Sequence, residues 1–259
     1  MSALKNLNPT PLTISKARLF LPAIARNGFA VVLLCGATSV TLAAAASRDT
    51  RPPAYHPTID PANFQATVDN PYLPLIPGTV FKFTEKADGQ VADDTVTVTQ
   101  DTRQIMGVQC VVVHDVVREK GVLEEETYDW YAQDKEGAVW YFGEDTKEID
   151  DNGKISTEGS WQAGVGGALP GLIMPAHPAP GEPFRQEYLA GHAEDMGQIV
   201  ALNSGIKVPY GPFTDCVKTK EWSMIESGYE SKWYARGIGV VREESTKGEI
   251  AELVSVTRP

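Results

Sequence analysis

The sequence predicts an all-β protein, a single curved antiparallel meander sheet rolled into a barrel or half-barrel. Three observations predict it. From Thr79 onward, segment after segment carries apolar or β-branched residues at period two. Short polar interruptions such as Asp88-Gly89, Met106-Gly107 and Lys120-Gly121 separate these segments, with the length and composition that close hairpins. Hardly a window of helical periodicity runs beyond two turns.

Residues 1–46 read as a signal peptide. Lys5, Lys16, Arg18 and Arg26 stand without an acidic residue before an apolar run from Phe29 to Leu42, and Ala43 to Ala46 supply a small-residue cleavage site. As a membrane span the run would be marginal, because Gly36, Thr38, Ser39 and Thr41 interrupt it. Cys35 follows Leu34 inside the run rather than the small residue a lipoprotein signal needs, so no stable membrane anchor is expected after cleavage. The whole chain carries a net charge of -11, and loss of the four leader cations leaves the mature chain at -15. Such a chain repels phosphate backbones, which excludes nucleic acid as a partner. A periplasmic or secreted location follows from the leader.

Residues 47–78 contain seven prolines, from Pro52 to Pro77, and predict an extended lead-in without long helix or central strand. Residues 79–259 form the β domain. Strands are expected at 79–84, 94–99, 108–117, 125–131 and 138–142, and again at 184–188, 198–202, 215–221, 229–235, 239–243 and 250–256. Between the two series, residues 164–183 hold five Gly and five Pro and are expected to be a long loop lying over one opening of the sheet. Trp130-Tyr-Ala132 and Trp233-Tyr-Ala235 each precede a glycine turn, an echo that aromatic hairpins share for packing reasons.

Asn70-Pro-Tyr-Leu-Pro-Leu-Ile-Pro-Gly78, Asp129-Trp-Tyr-Ala-Gln-Asp134, Gly159-Ser-Trp-Gln-Ala-Gly164 and Gln186-Glu-Tyr188 with Ala193-Glu-Asp195 together resemble an exported bacterial family with no assigned activity. The closing Trp233-Tyr-Ala-Arg-Gly-Ile-Gly-Val-Val241 is similar to the last hairpin of lipocalin-like and lipoprotein-carrier half-barrel proteins. That resemblance implies a lipocalin-like sheet and leaves the activity open.

Several residues are candidates for chemistry. Glu187, His192, Glu194 and Asp195, with His177 from the Gly/Pro segment, would suit a divalent cation, either as a tetrahedral zinc site or with more oxygens around calcium. The alternative is a solvated acidic turn. Glu124 to Glu126 and Asp129 face Glu144 and Asp145 across a hairpin, where like charges are costly unless they turn to water or meet a cation. His114 is either a cavity-facing acid or base or a hydrogen-bonded core residue. Cys110 and Cys216, both in β-like surroundings, are expected to form a structural disulfide in an oxidising compartment, the alternative being two buried thiols. Trp130, Tyr141 and Trp161 are candidates to contact a small apolar, amphipathic or lipid-like ligand, or else belong to the core. No Gly-x-Ser-x-Gly, His-Glu-x-x-His or phosphate-binding loop occurs. The expected function is an exported small-molecule binding protein, with a metal-binding protein or metal-dependent enzyme and a cell-envelope interaction module as alternatives.

Overall fold

The computed structural model describes residues 55–150 and 152–259, so the expected leader lies outside the described residues. The lead-in forms a 3-10 turn at Pro61–Asn63 and three short strands, β1 (Phe64–Gln65), β2 (Val68–Asn70) and β3 (Leu73–Leu75). A first run of long strands follows: β4 (Val80–Ala87), β5 (Gln90–Ile105), β6 (Val108–Glu119), β7 (Val122–Asp134) and β8 (Val139–Ile149). Then come the short β9 (Ile155–Ser156) and β10 (Trp161–Gln162), β11 (Leu169–Met174), β12 (Phe184–Arg185) and β13 (Glu187–Tyr188). A second long run closes the chain: β14 (Asp195–Val208), β15 (Gly211–Ser223), β16 (Glu230–Ala235), β17 (Gly239–Ser245) and β18 (Ile250–Thr257).

The hairpins arise where the sequence predicts them. Asp88-Gly89, Met106-Gly107 and Lys120-Gly121 all have positive φ at both central positions, 50° followed by 79–83°, which matches the twist of the flanking strands. Each run is therefore a meander of neighbours. The C-terminal strand β18 pairs with β4, from Ile250↔Lys86 to Thr257↔Val80, and so joins the second meander to the first. Sheet order becomes β14-β15-β16-β17-β18-β4-β5-β6-β7-β8-β11, antiparallel throughout.

Residues 184–188 lace together the two edges that remain. Phe184 and Arg185 pair with Gly197 and Met196 of β14, Gln186 N–H donates to Asp195 O at 2.9 Å, and Glu187 and Tyr188 pair with Pro170 and Leu169 of β11. The sheet is thereby one antiparallel surface nearly closed into a barrel. Gly171 makes this crossing possible: a Cβ there would lie 2.1 Å from the Gln186 carbonyl carbon.

The expected long loop at 164–183 is thus partly wall, since β11 occupies its middle. The reason lies in where the breakers fall. Gly164, Gly166 and Gly167 precede the strand and Pro175, Pro178, Pro180 and Pro183 follow it, leaving an apolar stretch free to pair with β8. Pro170, inside the stretch, sits where β11 meets only the two-residue β13.

Alternation sends Phe81 and Phe83, Val96 and Val98, Val113 and Val117, Val241, and Ala251 and Leu253 to the buried face. The opposite face carries charge, including the Lys86–Glu252 ion pair at 3.1 Å and the Arg242 contacts to Glu244 and Glu252. The β2–β3 hairpin buries Val68, Leu73 and Leu75 and reaches from the β7–β8 turn to the β16–β17 turn. Asn70 Nδ2 donates to Gly137 O at 2.8 Å and Gly237 N–H to Pro71 O at 2.7 Å.

Candidate functional site

The same alternation that buries the valines also buries carboxyl groups. Glu85, Asp94, Asp115, Glu125, Asp129, Glu144, Glu187, Asp195, Glu221, Glu230 and Glu243 are all at most 7 % exposed, and Lys232 is the buried ammonium among them. Asp129 and Glu144 stand directly opposite each other on β7 and β8. The acidic band expected to face water therefore splits: Asp129 and Glu144 turn inward, while Asp145 is the outward partner of Tyr128 in the next register pair. Consecutive strand residues take opposite faces, and only structure says which face is the inner one.

Lys232 Nζ lies 3.3 Å from Glu221 Oε2 and 3.2 Å from Glu243 Oε2. Thr219 and Tyr234 hydroxyls donate to Glu221 Oε1 at 2.7 and 3.1 Å. Burial would lower the Lys232 ammonium, but Glu221, Glu243 and Glu230 outweigh it and hold the group well above the ordinary lysine value, so it is charged. Burial pushes the Asp94 carboxyl well up, and Asp115, Glu85 and Glu125 push it further. Glu243 is raised by burial and by Glu230 against the pull of Lys232, and Asp195 by burial against the Ser223 hydroxyl. Three buried phenols, Tyr131, Tyr141 and Tyr234, are held well above their usual range by burial first and neighbouring carboxylates second. The interior is therefore a packed acidic core that retains protons, a different environment from the apolar lumen of a lipid carrier.

The expected ligand contacts fall into this packing. Tyr141 stacks on Tyr131 at 4.9 Å, meets Trp161 edge-on at 5.3 Å, and donates its hydroxyl to Asp129 Oδ1 at 2.7 Å. Trp130 lies under the Arg103 guanidinium at 3.9 Å. Trp130, Tyr141 and Trp161 are all buried, as core residues are.

The expected metal set separates. Glu187 and Asp195 are buried in the barrel, whereas Glu194 accepts from Gly191 N–H at 2.8 Å and from Arg185 at 3.4 Å on the other face. His192 Nε2 lies 3.4 Å from Ser160 O, and His177 is exposed beyond the end of β11. Among the described residues no group of three or more His, Cys, Asp or Glu is placed to hold a metal ion. Asp195 opens β14 with its side chain buried, whereas Glu194 lies just before the strand and is only partly buried, so adjacency in sequence does not bring the two carboxylates into one site.

Cys110 and Cys216 are likewise not joined. Both are buried free thiols, on β6 and β15, strands that are not neighbours in the sheet. Burial pushes Cys110 up to about 12 and Cys216 up to about 11. His114 is partly exposed rather than buried in the core, stacked on Tyr128 at 4.3 Å, with Nε2 3.2 Å from Glu126 Oε1.

An open site lies at the end of the barrel spanned by the β2–β3 hairpin. A cleft of ≈ 630 Å³ is lined by Asp69 to Tyr72, Gln133, Glu136, Gly137, Ala176 to Pro178, Leu202, Asn203 and Arg236. Its floor is rigid. The buried Gln133 accepts from Asp69 N–H at 2.8 Å and Asn70 N–H at 2.7 Å, and donates to Asp69 Oδ1 at 2.7 Å. Asn70 Oδ1 accepts from Tyr72 N–H at 2.9 Å, and Arg236 stacks over the Tyr72 ring at 4.7 Å while donating to its hydroxyl at 3.1 Å. Of the residues expected from sequence to form a site, only His177 lines this cleft. The rest come from segments far apart in the chain, although Asn70-Pro-Tyr72 lies in a motif that sequence does single out.

No family model and no curated protein matches the chain, so the likeness to an exported bacterial family stays a resemblance. Among solved structures, one described as a putative lipoprotein from Parabacteroides distasonis is similar: 14% identity over 74% of this chain and 100% of that one, with a TM-score of 0.42. That is a distant likeness, and the class of protein, an antiparallel β-barrel, rests on the strand pairing.

Proposed function

We propose that the mature chain is an exported, periplasmic or secreted binding protein for a small amphipathic molecule, and that the molecule is taken at the end cleft rather than inside the barrel. The observation that carries this reading is the hydrogen-bonded floor of the cleft. A hairpin tip held by buried Gln133 and Asn70 presents Tyr72, against which Arg236 of the β16–β17 turn stacks, around a volume within the range of about 300–1,000 Å³ of small-molecule sites. Polar groups already held by hydrogen bonds, beside apolar Pro71, Pro178 and Leu202, lower the ordering cost of binding. Export is supported by the basic, apolar and small-residue order of residues 1–46.

Two measurements test the reading. Intact mass of the protein recovered from the periplasm or medium is expected to show loss of roughly the first 46 residues; recovery of the full chain from the cytoplasm alone would refute export. Small molecules released by denaturing protein isolated from its own cell envelope are then identified by mass spectrometry. Carry-over is expected from the wild type and not from Tyr72→Ala. Equal carry-over from both would place the ligand elsewhere.

A further inference from the structure

We infer that the end cleft recognises a zwitterion of the amino-acid or short-peptide type, its carboxylate on Arg236 and its ammonium on Asp69 and Glu136; this rests on the small-molecule reading above. The cleft holds charges of both signs, and the hairpin keeps them apart. Asp69 and Glu136 belong to the side where β2 meets the β7–β8 turn, and Arg236 to the β16–β17 turn. The tip between them is tied at both ends, to Gly137 through Asn70 and to Gly237 through Pro71.

None of the three forms an ion pair within 4.0 Å with another charged group among the described residues, so their fields are not cancelled internally. Elsewhere on the outer surface, charges do pair, as Lys86 with Glu252 and Arg242 with Glu244 show. Arg236 is held on one edge by the Tyr72 hydroxyl and on one face by the Tyr72 ring, which leaves guanidinium N–H groups for a carboxylate. Asp69 is oriented through Oδ1, which accepts from Gln133 Nε2 at 2.7 Å and Gln65 Nε2 at 3.3 Å, and turns Oδ2 to a cationic donor. A purely anionic molecule would meet the two carboxylates, and a purely cationic one the guanidinium. A molecule with one charge of each sign satisfies both ends. Between them, Pro71, Tyr72 and Leu202 offer a surface for an apolar side chain.

The test uses the mature protein and calorimetric titration with free amino acids, di- and tripeptides, the same peptides N-acetylated or C-amidated, and neutral oligosaccharides. Free zwitterions of one length class are expected to bind, and blocking either end to weaken binding at least about tenfold. Arg236→Gln is expected to erase the penalty for C-amidation, and Glu136→Gln with Asp69→Asn the penalty for N-acetylation. All three side chains are exposed, and thermal melts confirm that each variant folds. If blocked peptides or saccharides bind as well as free zwitterions, in a manner sensitive to Tyr72→Ala, the ligand class is wrong while the cleft stands. If nothing in the panel binds and no molecule carries over on purification, both readings fall.

Discussion

Asp94→Asn is the most direct probe of the acidic core. Asp94 is buried on β5, its carboxyl raised by burial and then by Asp115, Glu85 and Glu125. In the folded protein it keeps a proton that the unfolded chain releases near pH 4. The folded state therefore binds more protons than the unfolded state between the two values, and stability must fall as pH rises through that window. The slope is roughly 1 to 1.5 kcal/mol per pH unit for each such carboxyl. Asp195 and Glu243 are raised for the same first reason and add in the same direction, whereas Lys232 stays charged throughout. Asparagine matches the neutral carboxyl in shape and offers N–H donors to the surrounding carboxyls. The wild type should thus melt highest at mildly acid pH and lose stability as pH rises above the ordinary carboxylate range through the raised values, at about 2–4 °C per kcal/mol for a domain of this size. Asp94→Asn should flatten that slope by about one carboxyl's share and gain on the wild type as pH rises. Thermal melts by circular dichroism from pH 5 to 8 decide. A wild-type melting temperature that rises over this range, or a variant with an unchanged slope, would refute the account of a proton-retaining core.

Lys232→Met removes the ammonium that compensates Glu221 and should cost about 3–5 kcal/mol at pH 7 in urea unfolding; adding Glu221→Gln should recover part of it, and no recovery would argue against the pair. Gly171→Ala would press a methyl into the Gln186 backbone at the barrel seam, so loss of more than about 2 kcal/mol, or failure to fold, is expected. A fully stable variant would mean that residues 184–188 do not close the sheet. Cys110 and Cys216, buried and with thiols pushed up to about 12 and about 11, should resist a thiol reagent in the native protein and both react after denaturation. No free thiol in the mature chain after denaturation without reductant would restore the disulfide.

The all-β class, the hairpin turns and the two meanders were legible in sequence because period-two alternation and turn chemistry are local. Asp88-Gly89 needs only its own backbone to announce a turn. The pairing of β18 with β4 was not legible, since those strands lie at opposite ends of the domain and nothing local selects the partner. Nor was the strand inside residues 164–183, where the count of Gly and Pro masked the positions at which they fall. The candidate site was less legible still. Sequence places Glu194 and Asp195 side by side with Glu187 close before them, but Glu187 and Asp195 turn inward while Glu194 stays partly exposed, and closure of the sheet decides which side chains lose water. Asp129 and Glu144 look like surface charges until the barrel makes their side the inside. Tyr72, Gln133, His177 and Arg236 become one cleft only when the hairpin is laid across the barrel end. Alternation and turns are properties of a few adjacent residues and belong to the sequence. Sidedness, closure and convergence depend on contacts between distant residues, and only the tertiary structure decides them.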